Sequence, residues 1–433
     1  METMTAIKAS KFNLFFLHEG YQVGYNSYSD QFIMLEDMLY QMYDASFKKA
    51  DFEELLEVHP EFHEHLYRNG FLIDSEIDEI ERVKKASYAI DNDDSLFQLH
   101  INPTMNCNFK CWYCYETHIK DSKMDEPTIA KTESYIANII GNNSNLKEFS
   151  LSWFGGEPLL YFHKVMVPIL KSTYELTKPT NINFHSSMTT NGLLIDQKMI
   201  DICKQYNLNF FQITLDGDRE RHDQVRFISE GRGSYDKIVA NIILLAENRM
   251  NVNVRVNISP ETLPGLNFIV NDFFGLDPMY HQHILFDFHK VWQVEGDIDD
   301  QINDSRTYFR SKGFKVSTGT HDTLVNSCYG DRRNHATINY NGEAFKCTAR
   351  DFTTANSEGI LIDGEIQWGE KYERRLQSKF KNKPCLECPI LPLCGGGCSQ
   401  HALENEGKDY CVHNFDMSKK ISLVRNKFID ILN

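Results

Sequence analysis

The chain has 433 residues, of which 41% are hydrophobic and 12% aromatic, and a formal charge of −16 from 45 Lys plus Arg against 61 Asp plus Glu. This composition provides a sizeable core and excludes wholesale disorder, and the length points to two or three domains of roughly 100–200 residues. The acidic balance argues against nucleic acid as the main partner. No apolar run reaches the roughly 18 residues of a membrane span, and Met1–Phe12 has no signal-peptide core, so a cytoplasmic protein with no membrane partner is expected.

The first segment reads as a small module. Phe12–His18 and Tyr21–Tyr28 are expected strands around a Glu19–Gly20 turn, Ile33–Tyr43 and Phe52–Val58 expected helices. Pro60–Asn69 is an expected helix stopped by Gly70, with Phe71–Ile73 a strand after it. This order suggests a winged-helix-like unit. Glu76–Asp94 is charged and reads as a helix plus linker. From Phe97 a new pattern repeats, with strands at Phe97–Pro103, Phe149–Phe154, Ile182–Met188, Phe210–Leu215, Val252–Ile258 and Ile284–Val291. Helical patterns lie between them at Pro127–Ile140, Tyr161–Leu176, Asp196–Tyr206 and Tyr235–Arg249. Strands alternating with helices imply an α/β fold, a partial (β/α)6 parallel barrel, whose chemistry lies on the loops at the strand C-terminal ends. The expected division is residues 1–95, a winged-helix-like recognition module and linker; 96–315, the barrel; and 316–433, a Cys-rich domain.

Eleven cysteines, an odd number, indicate metal or redox chemistry rather than a disulfide frame. Three form Cys107-Asn-Phe-Lys-Cys111-Trp-Tyr-Cys114, directly after the first barrel strand. Three thiolates on one loop leave a four-iron cluster one ligand short, with an iron open to substrate. A structural zinc site completed from elsewhere is the alternative. Cys203 sits in a helical pattern and reads as a buried apolar residue.

The C-x3-C-x2-C loop, with Tyr113 before its third Cys, resembles that of the radical S-adenosylmethionine (SAM) enzymes. The resemblance implies a [4Fe–4S] cluster on Cys107, Cys111 and Cys114 whose open iron binds SAM, reductive cleavage of SAM to methionine and a 5′-deoxyadenosyl radical, and hydrogen abstraction from a substrate. Further motifs follow in the family's order. Gly155-Gly156-Glu157-Pro158 closes the second strand and is similar to the family's GGEP motif; there the glycines allow close backbone approach to SAM and Glu157 accepts from its ammonium. Thr189-Thr190-Asn191-Gly192 ends the third strand. Thr214-Leu215-Asp216-Gly217 ends the fourth, with Thr214 assigned to the SAM ribose and Asp216 to capping the loop. Arg226 is assigned to the SAM carboxylate, and Asn257 to the ribose or carboxylate.

The remaining seven cysteines run C-x13-G-x4-C from Cys328 to Cys347, then C-x2-C-x5-C-x3-C from Cys385 to Cys398, then Cys411. This pattern resembles the SPASM extension of radical SAM enzymes, which implies two auxiliary [4Fe–4S] clusters and three clusters in all. By that resemblance Cys385, Cys388, Cys394 and Cys411 hold the outer cluster, and Cys328, Cys347 and Cys398 the inner one. No Cys occurs in Thr320–Ser327, so the inner cluster has an open iron or a ligand such as His321 or Asp322. Gly395-Gly396-Gly397 allows tight wrapping around a cluster. Zinc knuckles are the alternative by spacing alone.

The resemblance implies a peptide maturase: a leader peptide docks on residues 12–85, a core residue of a ribosomally made precursor loses hydrogen, and a C–S or C–C cross-link forms. Flavodoxin or ferredoxin is the implied electron donor. Anaerobic sulfatase maturases, which form formylglycine, are the alternative; there a catalytic Asp follows the second SPASM cysteine, whereas here Thr348 does, with Asp351 three residues on. A non-catalytic zinc-binding peptide adaptor is the alternative from another class.

Overall fold

The computed structural model describes residues 6–229, 231–291, 298–317 and 327–432; His321 and Asp322 lie outside them. The chain divides into two compact units, each assembled from separated segments: Met1–Asp93 with Thr320–Arg333 and Glu373–Asn433, and Asp94–Gly319 with Asn334–Tyr372. The expected 316–433 segment is therefore shared between the two.

In the first unit β1 (Ile7–Ala9) precedes an antiparallel meander of β2 (Asn13–His18), β3 (Tyr21–Asn26) and β4 (Gln31–Leu35). Glu19 and Gly20 both take positive φ at the β2–β3 turn, which matches the twist of a two-residue hairpin. Then come α1 (Asp37–Lys49), α2 (Glu53–Val58), α3 (Pro60–Arg68), β5 (Leu72–Asp74) and α4 (Glu79–Asp91). One expectation is corrected, and one strand is new. Ile33–Leu35 is strand rather than helix, because Ile33 and Leu35 alternate inward with Met34 outward, a period of two. Ile7–Ala9 is a strand that pairs antiparallel with β5; three residues carry too little periodicity to announce it. The meander is covered by the helix Met417–Leu432: Phe16 and Tyr25 share a core with Ile390, Val424 and Phe428. The other face, with Phe15, Ile33 and Leu35, packs on the core of α1–α3, so the strands are apolar on both faces, and the N-terminal segment and Cys385–Cys411 lie in one compact unit.

The second unit contains β6 (Leu96–Ile101), α5 (Glu126–Asn142), β7 (Glu148–Trp153), α6 (Val167–Thr177), β8 (Asn183–Thr190), α7 (Gln197–Gln205), β9 (Leu208–Leu215) and α8 (Arg219–Val225). A short antiparallel pair, β10 (Phe227–Ser229) and β11 (Arg232–Gly233), leads to α9 (Tyr235–Glu247), β12 (Asn251–Ile258), β13 (Ile284–Lys290), α10 (Asp299–Ser311) and β14 (Lys315–Val316). The six main strands are parallel in the order β13-β12-β9-β8-β7-β6, so each next strand lies beside the last. This single winding is that of a β/α barrel left open. One edge is extended by β14, the other by β15 (His335–Ile338), parallel to β6, and then by the antiparallel β16 (Glu343–Phe345), β17 (Gly359–Ile362) and β18 (Glu365–Trp368). No helix among the described residues is long and apolar enough to cross a membrane.

The two sheet faces differ sharply. Leu99, Leu151, Met188, Ile213, Val254 and Phe286 share one core with Ile136, Ile169, Ile200 and Ile242 of the crossover helices. The alternate residues, facing the other way, are mostly polar, with Phe210 and Leu285 the apolar members: His100, Ser152 and Ser187 stand in one row, Gln212 and Asn253 in the next, and Arg255 and Asp287 in another. Parallel sheets in doubly wound folds are apolar on both faces. A polar inner face marks a sheet that lines a site. The pattern predicts that Leu151→Ala costs about 2–5 kcal/mol, while Ile360→Ala, at a side chain 46% exposed, stays within roughly 0.5 kcal/mol; chemical denaturation of the two variants checks this.

Candidate active site

The Cys107–Cys114 loop follows β6 and is closed at its base by its own bonds. Thr104 Oγ1 donates to the Ser122 carbonyl at 2.6 Å, the Met105 amide to Ser122 Oγ at 2.9 Å, and the Met124 amide to the Pro103 carbonyl at 2.9 Å. The turn after β7 then clamps it. Gly155 and Gly156 have φ of +74° and +39°, and a Cβ on Gly156 would lie 2.3 Å from the Asn106 carbonyl oxygen. The close approach these glycines allow is therefore to the cysteine loop itself. The Gly156 amide donates to Glu116 at 2.7 Å and the Glu157 amide to the Asn106 carbonyl at 2.8 Å.

Glu157, assigned from the sequence to the SAM ammonium, is fully buried and its oxygens accept from Thr190 Oγ1 at 2.7 Å and the amides of Asn191 and Leu159 at 2.8 and 3.0 Å. Burial pushes its carboxyl up, against the pull of these donors. It ties the ends of β7 and β8 together. Asn191 Nδ2 in turn donates to Asn108 of the cysteine loop at 2.8 Å. Glu116 and Asn108 carried no sequence signal beyond lying among the cysteines. Burial raises the Glu116 carboxyl to about 7.

Asp216 is the hub of the site. It accepts from Tyr113 Oη at 2.8 and 2.7 Å, from Arg226 Nε at 2.5 Å and from Asn257 Nδ2 at 3.0 Å. Arg226 Nη2 also donates to Tyr113 Oη at 2.6 Å. Burial would raise the Asp216 carboxyl, but Arg226, His222 and Tyr113 outweigh it and hold it below the usual range. Tyr113, Arg226 and Asn257, three residues assigned to cofactor binding, thus meet on a carboxylate that the sequence reading treated as a loop cap. Asp216 is 3% exposed; only tertiary contact reveals that role. Thr214, also buried, lies opposite Arg255 in the β9–β12 register and joins none of these bonds among the described residues. His222 supports the hub from behind: its Nδ1 accepts from the Asp216 amide at 3.3 Å, and its Nε2 meets Ser234 Oγ at 3.0 Å.

The loop carrying Cys347 packs on the same cysteine loop. Tyr115 Oη donates to the Thr348 carbonyl at 2.6 Å, and Thr117 donates through its amide at 2.8 Å and its Oγ1 at 2.5 Å to the carboxylate of Asp351.

Three thiols fit a cluster here. Burial pushes Cys107 up to about 12 and Cys114 up to about 11, and Cys111 also rises; such thiols ionise readily only when a coordinating metal stabilises the thiolate. In the first unit Cys385, Cys388, Cys394 and Cys411 line one cavity with Tyr410, His413 and Lys420. Cys385 Sγ accepts from Asn382 Nδ2 at 2.9 Å, and Cys388 Sγ from Lys420 Nζ at 3.3 Å. The fit is to thiols spread around a space: among the described residues no three His, Cys, Asp or Glu side chains stand at single-ion spacing. Cys328 and Cys398 belong to the first unit and Cys347 to the second. Cys203 is buried in α7, as expected.

Residues 101–267 match the Radical SAM superfamily, and this part of the chain is a radical SAM domain. It is 23% identical over 380 residues to the radical SAM cyclopropyl synthase TigE of Paramaledivibacter caminithermalis, covering 81% of this chain and 78% of that protein. It is 25% identical over 343 residues to a cysteine-type anaerobic sulfatase-maturating enzyme of Clostridium novyi, covering 72% and 90%. Its fold is similar to Streptococcus suis SuiB bound to the precursor peptide SuiA, with a TM-score of 0.55 and 15% identity over 93% of this chain and 98% of that one. It is also similar to anSMEcpe with bound AdoMet and Cp18Cys peptide, with a TM-score of 0.57 and 18% identity over 78% and 98%.

Two measurements test the geometry. Gly156→Ala, which forces a Cβ against the Asn106 carbonyl at positive φ, destabilises the second unit by about 1–3 kcal/mol, read by denaturation. Burial, then the Arg226 charge, depresses His222 from 6.5 to about 4. The unfolded chain therefore binds the extra proton between these values, so stability is complete above pH 6.5 and falls as pH drops toward 4. His100, half-buried on the inner face and lowered by desolvation to about 4, acts in the same window, and His222→Gln makes the decline shallower without abolishing it.

Proposed function

We propose that the chain is a peptide maturase that takes a hydrogen from one residue of a ribosomally made precursor peptide and closes a C–S or C–C bond within it. The observation that carries this reading is the meeting of the Cys107, Cys111 and Cys114 loop with the Tyr113–Asp216–Arg226–Asn257 hub at the C-terminal ends of β6, β9 and β12. When bound, a [4Fe–4S] cluster on these three thiols supplies the electron that cleaves SAM to methionine and a 5′-deoxyadenosyl radical. The protein's own part is positioning and shielding. Asp216 orients Tyr113, next to Cys114, and Arg226 as one rigid group. Among the described residues Arg226 bonds through Nε and Nη2 alone, which leaves Nη1 to pair with the SAM carboxylate. Thr214 and Asn257 lie at the ends of β9 and β12 for the ribose and methionyl parts, and the Gly155–Gly156 turn after β7 holds the cysteine loop beside them. The polar inner face receives the peptide.

The winged-helix-like segment over residues 12–85 binds the leader. Cys385, Cys388, Cys394 and Cys411 hold the outer auxiliary cluster and Cys328, Cys347 and Cys398 the inner one, in a cytoplasmic protein served by flavodoxin or ferredoxin. The likeness to SuiB with its precursor peptide spans more of the chain than the likeness to anSMEcpe, which supports a leader-dependent substrate. Cyclopropyl formation, named for the TigE relative, is C–C bond making and supports that branch. Formylglycine formation has less support, because Thr348 follows Cys347 and the Asp351 carboxylate is engaged by Thr117.

Anaerobic reconstitution should yield about a dozen irons with matching sulfide; one or two zincs and no sulfide would sink the reading. Cys111→Ala should abolish deoxyadenosine release under strong reductant while auxiliary iron remains. A short peptide encoded beside the gene should lose two hydrogens and stay inert to carbonyl reagents, whereas a formylglycine product reacts with them. Removing the leader from that peptide should raise its KM at least tenfold and leave SAM cleavage intact.

A further inference from the structure

Lys420 is 8% exposed, on the helix Met417–Leu432. The other buried lysine of this unit among the described residues has a carboxylate, Lys427 reaching Asp30 at 3.2 Å, and the half-buried Lys379 reaches Asp91 at 2.6 Å and Asp331 at 3.4 Å. Lys420 has none among the described residues; its side-chain acceptor is Cys388 Sγ, at 3.3 Å. It lines the cavity formed by Cys385, Cys388, Cys394 and Cys411, whose other polar lining groups, Tyr410 and His413, supply no negative charge at neutral pH. A buried ammonium facing neutral thiols is costly, because a charge taken from water needs an opposite charge or several hydrogen bonds in return. Four thiolates on a four-iron cube carry net negative charge in both working oxidation states, and that anion is the missing partner.

We propose that Lys420 is the built-in counter-ion of an anionic cluster on Cys385, Cys388, Cys394 and Cys411, and that its charge and its N–H···S bond raise the reduction potential of that cluster. The inference rests on the reading of these four residues as cluster ligands. Its physical basis is general: the potential of an iron–sulfur cluster follows its net surroundings, the hydrogen bonds to its sulfurs and its exposure, and groups behind the ligands tune a metal site as strongly as the ligands do. A cation beside the cluster favours the reduced, more negative form. Asn382, which donates to Cys385 at 2.9 Å, acts in the same direction as a dipole without net charge. Lys420 is thus a positioning and tuning residue that makes the outer cluster easier to reduce than it would be without the cation.

The test uses the full chain carrying Cys107→Ala, Cys111→Ala and Cys114→Ala, so that only auxiliary clusters remain, reconstituted without oxygen and titrated potentiometrically with electron paramagnetic resonance as the readout. A further Cys385→Ala, Cys388→Ala pair identifies the outer cluster by the signal and the iron it removes; if that pair removes neither, the ligand reading itself has failed. With the outer signal identified, Lys420→Gln should keep the iron and sulfide but lower that one midpoint by about 59 mV, tenfold in the one-electron equilibrium, and Lys420→Arg should hold it near the parent value. Should Lys420→Gln lose the outer cluster while Lys420→Arg retains it, the cation is required and the proposal stands. An unchanged midpoint in Lys420→Gln, an equal shift in both variants, or loss of the cluster in both overturns it.

Discussion

The buried carboxylate of Asp216 is the contact on which the site depends. One side chain collects the hydroxyl of Tyr113, the guanidinium of Arg226 and the amide of Asn257, which come from the cysteine loop, from the segment after α8 and from β12. A carboxylate and a guanidinium buried together are stable only as a pair with their remaining hydrogen bonds filled, and Tyr113 and Asn257 fill them. The cysteine loop is therefore registered to the sheet at the residue beside Cys114. Glu157 and Gly156 perform the matching task at the other end of the loop, joining it to β7 and β8. Three thiols on a flexible loop would have no fixed geometry; two buried carboxylates give them one.

This arrangement also explains the division of labour between the sheet faces. The helix-facing residues form one continuous apolar core, which supplies the stability. The inner face is released from packing and carries histidines, serines, amides and the Arg255–Asp287 row instead. Polar groups there lose little by being held at the mouth of an open barrel, and they are available to a polar guest. The oxygens of Gln98 and Asn253 and the amide of Asn339, which find no hydrogen-bond partner among the described residues, belong to this inner set.

The first unit answers to a different constraint. Its antiparallel meander is too small to bury its own apolar face, and the helix Met417–Leu432 and Ile390 complete that core. The same helix presents Lys420 to the four-thiol cavity. The N-terminal meander and the four-thiol cavity consequently share one hydrophobic core, so a change in packing on one is felt by the other.

Much of this was legible in the chain itself. Six strands with their crossover helices, the three-thiol loop at the end of the first, and the seven ordered cysteines follow from short-range periodicity and spacing, which local sequence encodes directly. The first-unit misreading at Ile33–Leu35 came from a segment short enough for either period to fit. What only the folded chain decided are the long-range pairings: Asp216 as hub rather than cap, Glu157 turned inward to Thr190, Asp351 engaged by Thr117, and Lys420 bonded to sulfur with no carboxylate at ion-pair distance among the described residues. A side chain's type announces which bonds it can make, but the partner is chosen by burial, because away from water each charge must find whatever opposite group the packing of distant segments brings within reach.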